Sequence, residues 1–330
     1  MARYLGVFCG LTLLLGIFAC VALSWHVKGL TLDHVSEIFH VKAEDSLMVY
    51  TVWNIRLPRV LLAILLGGAL AVAGCLLQGI TRNPLADPEI IGINQGASLF
   101  VVLGLLLLGT KDVSFLIIVC AFCGAIAGGS VVYMLSLRSR FTPTRMVLAG
   151  IAVSLFFSSV TTGLLLMNET TLSNLIYWMA GKLSGAEWAD IRLSVFVLLP
   201  VIVLSWLLSP QLNVLLFGDD VAGSLGQNVK VIRRIAMLMV GVLVGGAVAL
   251  AGPIGFVGLM VPHMGRMLWG HDYRIMVPLS ALLGANLLLA SDLVGQMLFY
   301  PVETPVGILT ALLGIPFFLT LMQKKKGEVL

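Results

Sequence analysis

One carboxylate stands where it could do chemistry. Asp292 lies in a long apolar run that begins at Ile275. An ionisable side chain in such a run is costly to bury, and it marks an ion pathway, a proton relay or a paired charge. Near the end of a membrane span the same residue could instead cap a helix, and the sequence leaves both readings open. A proton-coupled transporter would carry a chain of such groups. The apolar runs show none, which favours a transporter powered by another chain.

Other residues with catalytic or metal-binding potential lack the pattern that this chemistry needs. Cys120 and Cys123 have redox spacing, but an apolar run surrounds them instead of a soluble βαβ unit. Three of the 5 histidines fall in the first polar loop, where a solvated surface is more typical than a metal site. Gly181-Lys182 lacks the other glycine of a phosphate-binding loop. The sequence therefore predicts no metal, no cofactor and no enzymatic activity.

The composition indicates an integral membrane protein. Of 330 residues, 59% are hydrophobic and only 11% are charged, and the mean hydropathy is +1.05. A soluble domain is about 45–50% apolar and about 25% charged. The net charge of +4 is better explained by basic residues that flank membrane spans than by a nucleic-acid surface.

Charge-free runs predict a single all-α domain over residues 1–330, a polytopic bundle of about ten spans. A span needs roughly 20 apolar residues. A Pro-Gly break at 252–255 divides one run that is too long for a single span. The predicted spans are 4–25, 60–81, 90–110, 113–137, 146–168, 193–218, 235–252, a short eighth that ends near 266, a ninth from 275 past 292, and 304–323.

The loops predict an orientation. With the N-terminus inside, most of the 20 Lys and Arg fall on the inner side, as the positive-inside rule requires. Arg56 and Arg59 fall outside, and they therefore need a separate reason.

An eight-residue segment occurs twice. Residues 67–74 read GGALAVAG and residues 245–252 read GGAVALAG, in spans that cross in opposite directions. Inverted repeats with a site near their interface are a recurring transporter plan. The pattern predicts repeat halves of roughly 56–168 and 235–323.

The largest inner segment, 209–234, holds a candidate capped helix. Asp219 and Asp220 stand at its start and Gly226 at its end. It is either an ordinary loop helix or a coupling helix that docks on a cytosolic partner.

Several motifs in chain order resemble one family. They are Arg56-Leu57-Pro58-Arg59, the NPLADP motif at 83–88, LAG at 148–150, GPIGFVGL at 252–259 with Pro262-His263, and PVG at 305–307 followed by Gly314 and Pro316. Over nearly its whole length the chain resembles a FecCD-type permease of the ABC importers for iron-siderophores, haem and cobalamin.

The resemblance implies a type II ABC importer permease in a bacterial cell membrane, with both termini cytoplasmic. It implies cytosolic ATP-binding subunits, an extracytoplasmic substrate-binding lipoprotein, a second permease subunit (identical or a sister chain), and no nucleic acid. The implied cargo is a ferric siderophore, with haem or cobalamin as alternatives. An ion-coupled secondary transporter and a membrane scaffold or receptor are the competing classes.

The resemblance also implies roles for particular residues. Arginines matching Arg56 and Arg59 meet acidic residues of the binding protein in related permeases. A further family arginine near the outer end of span nine is absent from 292–296, which read DLVGQ. The implied cytoplasmic gates are Asn83, Pro84 and Leu85, and Thr142, Pro143 and Thr144. The implied ATPase-coupling residues are Asp219, Asp220, Ala222 and Gly226.

Overall fold

The computed structural model describes residues 2–25, 47–108, 113–137, 143–167 and 178–327, and this part of the chain is helical without a strand. The helices are α1 (Ala2–Ser24), α2 (Leu47–Tyr50), α3 (Leu57–Thr81), α4 (Ile93–Leu108), α5 (Val113–Leu137), α6 (Pro143–Leu166), α7 (Trp188–Leu207), α8 (Ser209–Leu215), α9 (Asp219–Ser224), α10 (Val229–Ala251), α11 (Val257–Trp269), α12 (Tyr273–Leu298) and α13 (Val306–Gly327). A π-helical turn (Thr51–Arg56) joins α2 to α3, and a 3₁₀ turn (Pro88–Ile91) precedes α4.

The predicted membrane bundle is confirmed, and each predicted span corresponds to a helix. Among the described residues, seven helical segments are long and apolar enough to cross a membrane. Two others are shorter apolar helices, Ile93–Leu107 and Val306–Thr320. The remaining helix that matches a predicted span is α11. It has only 13 residues and is roughly 20 Å long at 1.5 Å per residue.

The α3 helix forms the centre of the bundle because small residues let its neighbours approach. Gly67 lies against the backbone of Gly284 in α12, and Gly74 lies against Gly258 in α11. A Cβ atom at either position would overlap a backbone carbonyl of the neighbouring helix. Close backbone approach of this kind is how helices associate in lipid. It fixes both flanking helices on α3.

The predicted break at Gly252–Gly255 is confirmed. Between α10 and α11 the chain is not helical, and Gly252 (φ 76°) and Phe256 (φ 67°) have left-handed backbone conformations. The break is packed in protein: Lys182 N–H donates to Ala251 O at 2.7 Å, and Gly252 lies against the carbonyl of Trp178. Irregular backbone at membrane depth requires such cover.

The charge-free run over 193–218 is not one helix. The α7 helix ends at Leu207 and α8 begins at Ser209, the residue at which the sequence also placed the start of the inner segment. Pro210 explains the difference, because its fixed φ and missing N–H favour the first turn of a new helix.

Candidate functional site

A cavity of about 470 Å³ lies beside the helix break. One wall consists of Pro253, Gly255 and Phe256 of the break, and another of one face of α13 from Gly307 to Ile315. Polar side chains enter from a third direction: Glu89, Asn94, Gln95, Ser98 and Ser158. Transporter sites are typically built at discontinuous helices, where free backbone groups face the ligand. This cavity is the candidate translocation site.

Arg59, predicted to dock a partner, is held inside the protein. Its Nε and Nη2 donate to the two carboxylate oxygens of Asp292 at 2.9 Å each, and its Nη1 donates to Glu303 at 2.8 Å. The Arg59 side chain is only 11% exposed, whereas Glu303 is 46% exposed. The embedded Asp292 is thus the counter-ion of Arg59, and Gln296 donates a further bond to it at 2.8 Å.

Arg56 lies one helical turn before Arg59 and is half-buried. Its Nη1 donates to the carbonyl of Ala22 at the end of α1, at 2.9 Å. In the part of the chain that the structure describes, no carboxylate forms a salt bridge with Arg56. We refer to Arg56, Arg59, Asp292 and Glu303 together as the arginine cluster.

The motif at 83–88 forms a compact turn after α3. Arg82 ends the helix in a left-handed conformation (φ 50°), and Asn83 Oδ1 accepts from Leu85 N–H at 3.0 Å. Gln78 Nε2, buried in α3, donates to the carbonyls of Ala86 and Gly258 at 3.2 Å each. The turn is therefore attached both to α3 and to the start of α11, while Pro84 and Leu85 stay half-buried.

The second predicted gate is only partly described. Thr142 lies outside the described residues, and Pro143 and Thr144 begin α6. The α6 helix packs against the 3₁₀ turn that follows the 83–88 motif. The helix that begins with the second predicted gate thus packs against the element that follows the first.

The predicted coupling segment is a short helix with two different faces. Ala222 is fully buried, whereas Asp220 and Gly226 are exposed. Gly226 (φ 82°) ends the segment, and Gln227 N–H donates back to Ala222 O at 3.0 Å, which is a Schellman-type stop. Apolar side chains on the free face are Phe217, Val221 and Leu225, which are 74%, 44% and 66% exposed.

Asp219 points its carboxylate towards the turn at 83–88. Its carboxylate accepts from Arg233 Nη1 and Nη2 of α10 at 2.7 and 2.8 Å. Arg82, the residue before Asn83, also pairs with it, at 3.1 Å. Arg233 Nε in turn donates to Ile80 O in α3 at 3.3 Å. One carboxylate thus joins the short helix α9, the residue that ends α3 before the 83–88 turn, and the long helix α10.

Two acidic side chains come after Leu85 in the chain and lie next to the non-helical stretch between α10 and α11. The Asp87 carboxylate accepts from Glu89 N–H at 3.2 Å, and the Glu89 carboxylate lies against Gly255, next to the start of α11. Burial is the main cause that raises the pKa of each carboxyl, and the nearby charge of Glu89 further raises the pKa of Asp87. The free N–H groups that open a helix favour such acceptors.

Sequence reasoning missed the polar wall of the cavity. It placed Glu89 in a polar turn and counted Asn94 and Ser98 within an apolar run. The i, i+4 spacing of these two polar residues, next to a carboxylate, was the available signal. It places them on one face of a helix.

An all-helical bundle with repeated membrane-length helices and a polar cavity at a broken helix defines a membrane permease. The chain belongs to the FecCD transport family, whose model matches residues 12–324.

Curated relatives cover most of the chain. The Fe(3+)-citrate import system permease protein YfmD of Bacillus subtilis strain 168 is 43% identical over 318 residues, 93% of this chain and 94% of that protein. The hemin transport system permease protein HmuU of Yersinia pestis is 39% identical and covers 88% of each chain.

A solved structure has the same fold. It is described as an inward-facing conformation of a metal-chelate type ABC transporter. Its TM-score is 0.84 at 30% identity, over 96% of this chain and 98% of that one.

Proposed function

We propose that this chain is the transmembrane permease subunit of an ABC importer that carries a ferric siderophore across the bacterial cell membrane. A separate cytosolic ATPase pair supplies the energy, and an extracytoplasmic binding protein delivers the chelate. A second permease subunit, identical or a sister chain, completes the pathway, and both termini are cytoplasmic. Relatives named for ferric citrate, hydroxamate and hemin support the cargo class.

The observation that carries the proposal is the three-way ion pair of Asp219. It connects a helix with an exposed apolar stripe to the turn that holds Asn83, Pro84 and Leu85. A stripe of large apolar side chains facing water marks a protein interface. An ATPase seated on the stripe would therefore move the gate turn through Asp219. On this basis Asp220 and Gly226 face the ATPase, and Ala222 anchors the helix.

The inverted repeat supports alternating access. Gly67 of α3 contacts Gly284 of α12, and its repeat counterpart Gly245 of α10 contacts Ala125 of α5. If α3 and α10 are equivalent, so are α12 and α5, as an inverted repeat over 56–168 and 235–323 requires. Rocking one half against the other would then open the cavity to either side.

The arginine cluster supports a docking role at the opposite end of the bundle. Among the described residues no carboxylate bonds Arg56, and Arg59 holds one exposed carboxylate, Glu303. An acidic side chain of the binding protein would pair with Arg56 and could replace Glu303 on Arg59. Such pairing steers encounter and fixes orientation.

The test is uptake by proteoliposomes that contain the assembled permease and ATPase, with binding protein loaded with a radioactive ferric siderophore. Uptake is expected only with hydrolysable ATP and binding protein together. Uptake driven by an ion gradient without the ATPase would contradict the proposal. Competition by hemin or cobalamin, but by no siderophore, would assign the alternative cargo.

A further inference from the structure

The polar wall of the cavity holds three side chains with acceptor oxygens, beside Gln95 and Ser158. Glu89 presents a carboxylate, and Asn94 and Ser98 follow it on α4. The Ser98 hydroxyl donates to the carbonyl of Asn94 at 3.0 Å, so its own oxygen is left to accept. Glu89 rests on Gly255, where a Cβ atom would collide with the carboxylate. The glycine at the break therefore fixes where this carboxylate lies.

Asn94 is a second, independent observation that points to a ligand. Its side chain is 2% exposed, and its Oδ1 accepts no hydrogen bond from the described protein. A buried acceptor without a partner is costly, and a native structure keeps one for a reason. Asn94 lines the cavity but its Oδ1 is covered, so a rotation of the side chain is needed to bring this acceptor to a donor group on a ligand.

The wall carries negative charge and no opposing positive charge. The lining side chains among the described residues include Glu89 and no Lys, Arg or His. Asp87, the neighbouring carboxyl, is more deeply buried and does not line the cavity. Burial and the charge of Glu89 both raise the pKa of Asp87, so the Glu89 carboxyl is the charge-bearing group that faces the cavity.

We propose that Glu89, Asn94 and Ser98 form an acceptor subsite that selects ferric chelates by charge. It admits neutral or cationic chelates that bear hydroxyl or ammonium donors and disfavours polyanionic ones. The inference rests on the proposed importer function and deepens it. Hydroxamate ligands neutralise ferric iron, whereas catecholate or citrate ligands leave the chelate negative. The favoured cargo is therefore of the hydroxamate class.

Specificity here comes from repulsion as well as attraction. A carboxylate in a confined site repels an anionic chelate and accepts a hydrogen bond from a cationic one. Removing the charge without changing the shape should thus affect the two chelates in opposite directions. A purely structural role for Glu89 would change both uptake rates in the same direction.

The experiment compares three chelates that share one iron centre and differ in net charge. They are a cationic ferric trihydroxamate with a free amine, its neutral N-acetyl form and its anionic N-succinyl form. Uptake is measured in proteoliposomes with the full importer and binding protein saturated with each chelate. Glu89→Gln keeps the size and one acceptor oxygen but removes the charge. Glu187→Gln, which alters an exposed carboxylate away from the cavity, is the control.

The native importer is expected to take up the cationic and neutral forms faster than the anionic form. Glu89→Gln should raise the anionic-to-cationic uptake ratio about tenfold, which is the scale of one charged hydrogen bond. Asn94→Leu should lower uptake of all three while leaving thermal stability unchanged or higher, because it removes an unsatisfied acceptor.

Two results would overturn the subsite. One is a native importer that takes up only polyanionic chelates. The other is a Glu89→Gln ratio equal to that of the control. Either result leaves the importer function intact, whereas absence of ATP-dependent uptake of every ferric chelate would contradict the importer function itself.

Discussion

Asp219 offers the sharpest perturbation of the proposed coupling. Asp219→Ala removes the carboxylate that joins the coupling segment to Arg233 and Arg82. Asp219→Asn keeps the shape and one acceptor oxygen but removes the charge. Neither change touches the cavity or the apolar stripe. The expected outcome is an importer whose ATPase still assembles and hydrolyses ATP but moves less chelate.

The magnitude follows from the bonds lost. Asp219 accepts two bonds at 2.7 and 2.8 Å from Arg233, whose side chain is 9% exposed, and forms one pair with the more exposed Arg82. A charged hydrogen bond contributes about 1.5–3 kcal/mol, and an exposed ion pair below about 1 kcal/mol. Because Asp219 is itself 40% exposed, we take about 2–3 kcal/mol for the alanine variant and about half for asparagine.

The assay measures ATP hydrolysis and chelate uptake on the same proteoliposomes. An energy of about 2 kcal/mol corresponds to a roughly 30-fold weaker linkage, since 1.4 kcal/mol is tenfold. Transported chelate per ATP should fall strongly for alanine and less for asparagine. Asp220→Asn, which changes the exposed neighbour, should keep the native ratio in the assembled complex. A native ratio in Asp219→Ala would refute the linkage.

Three further changes test other parts of the structure. Glu303→Gln should release only the Nη1 of Arg59, which Asp292 still holds by its other two nitrogens, and tighten binding-protein docking several-fold at low salt, measured by surface binding; unchanged affinity would exclude Arg59 from docking. Gly226→Val should reduce ATPase co-purification, because a left-handed φ costs a branched residue about 1–2 kcal/mol. Gly226→Asn should not reduce it. Equal yields from the two variants would show that the positive φ at residue 226 is not the cause. Gly74→Leu should abolish stable folding in a thermal-melt assay, while Gly163→Leu, in open space, should not.

The bundle could be predicted because lipid imposes one simple rule. Charge-free runs of membrane length must be helices, and the Pro-Gly pair at the break must interrupt one. The charge-free run over 193–218 extends beyond the end of α7, because hydropathy does not show where an apolar chain leaves the membrane. There the local chemistry of Pro210 decides.

The site was less predictable because its contacts join distant parts of the chain. Arg59 and Asp292 are 233 residues apart, so the sequence showed two unusual charges but not that they pair. Asp219 was expected at a partner interface, and only the fold shows that it turns towards Arg233. Glu89 was missed because nothing local shows that it reaches a cavity.

ATP-dependent uptake of a radioactive ferric siderophore by the reconstituted importer is the most direct measurement. Iron is predicted to accumulate inside proteoliposomes when permease, ATPase, loaded binding protein and hydrolysable ATP are all present, and to stay at background when any one is omitted. Accumulation that persists without the ATPase, or no accumulation of any ferric siderophore by the complete complex, would contradict the proposed function.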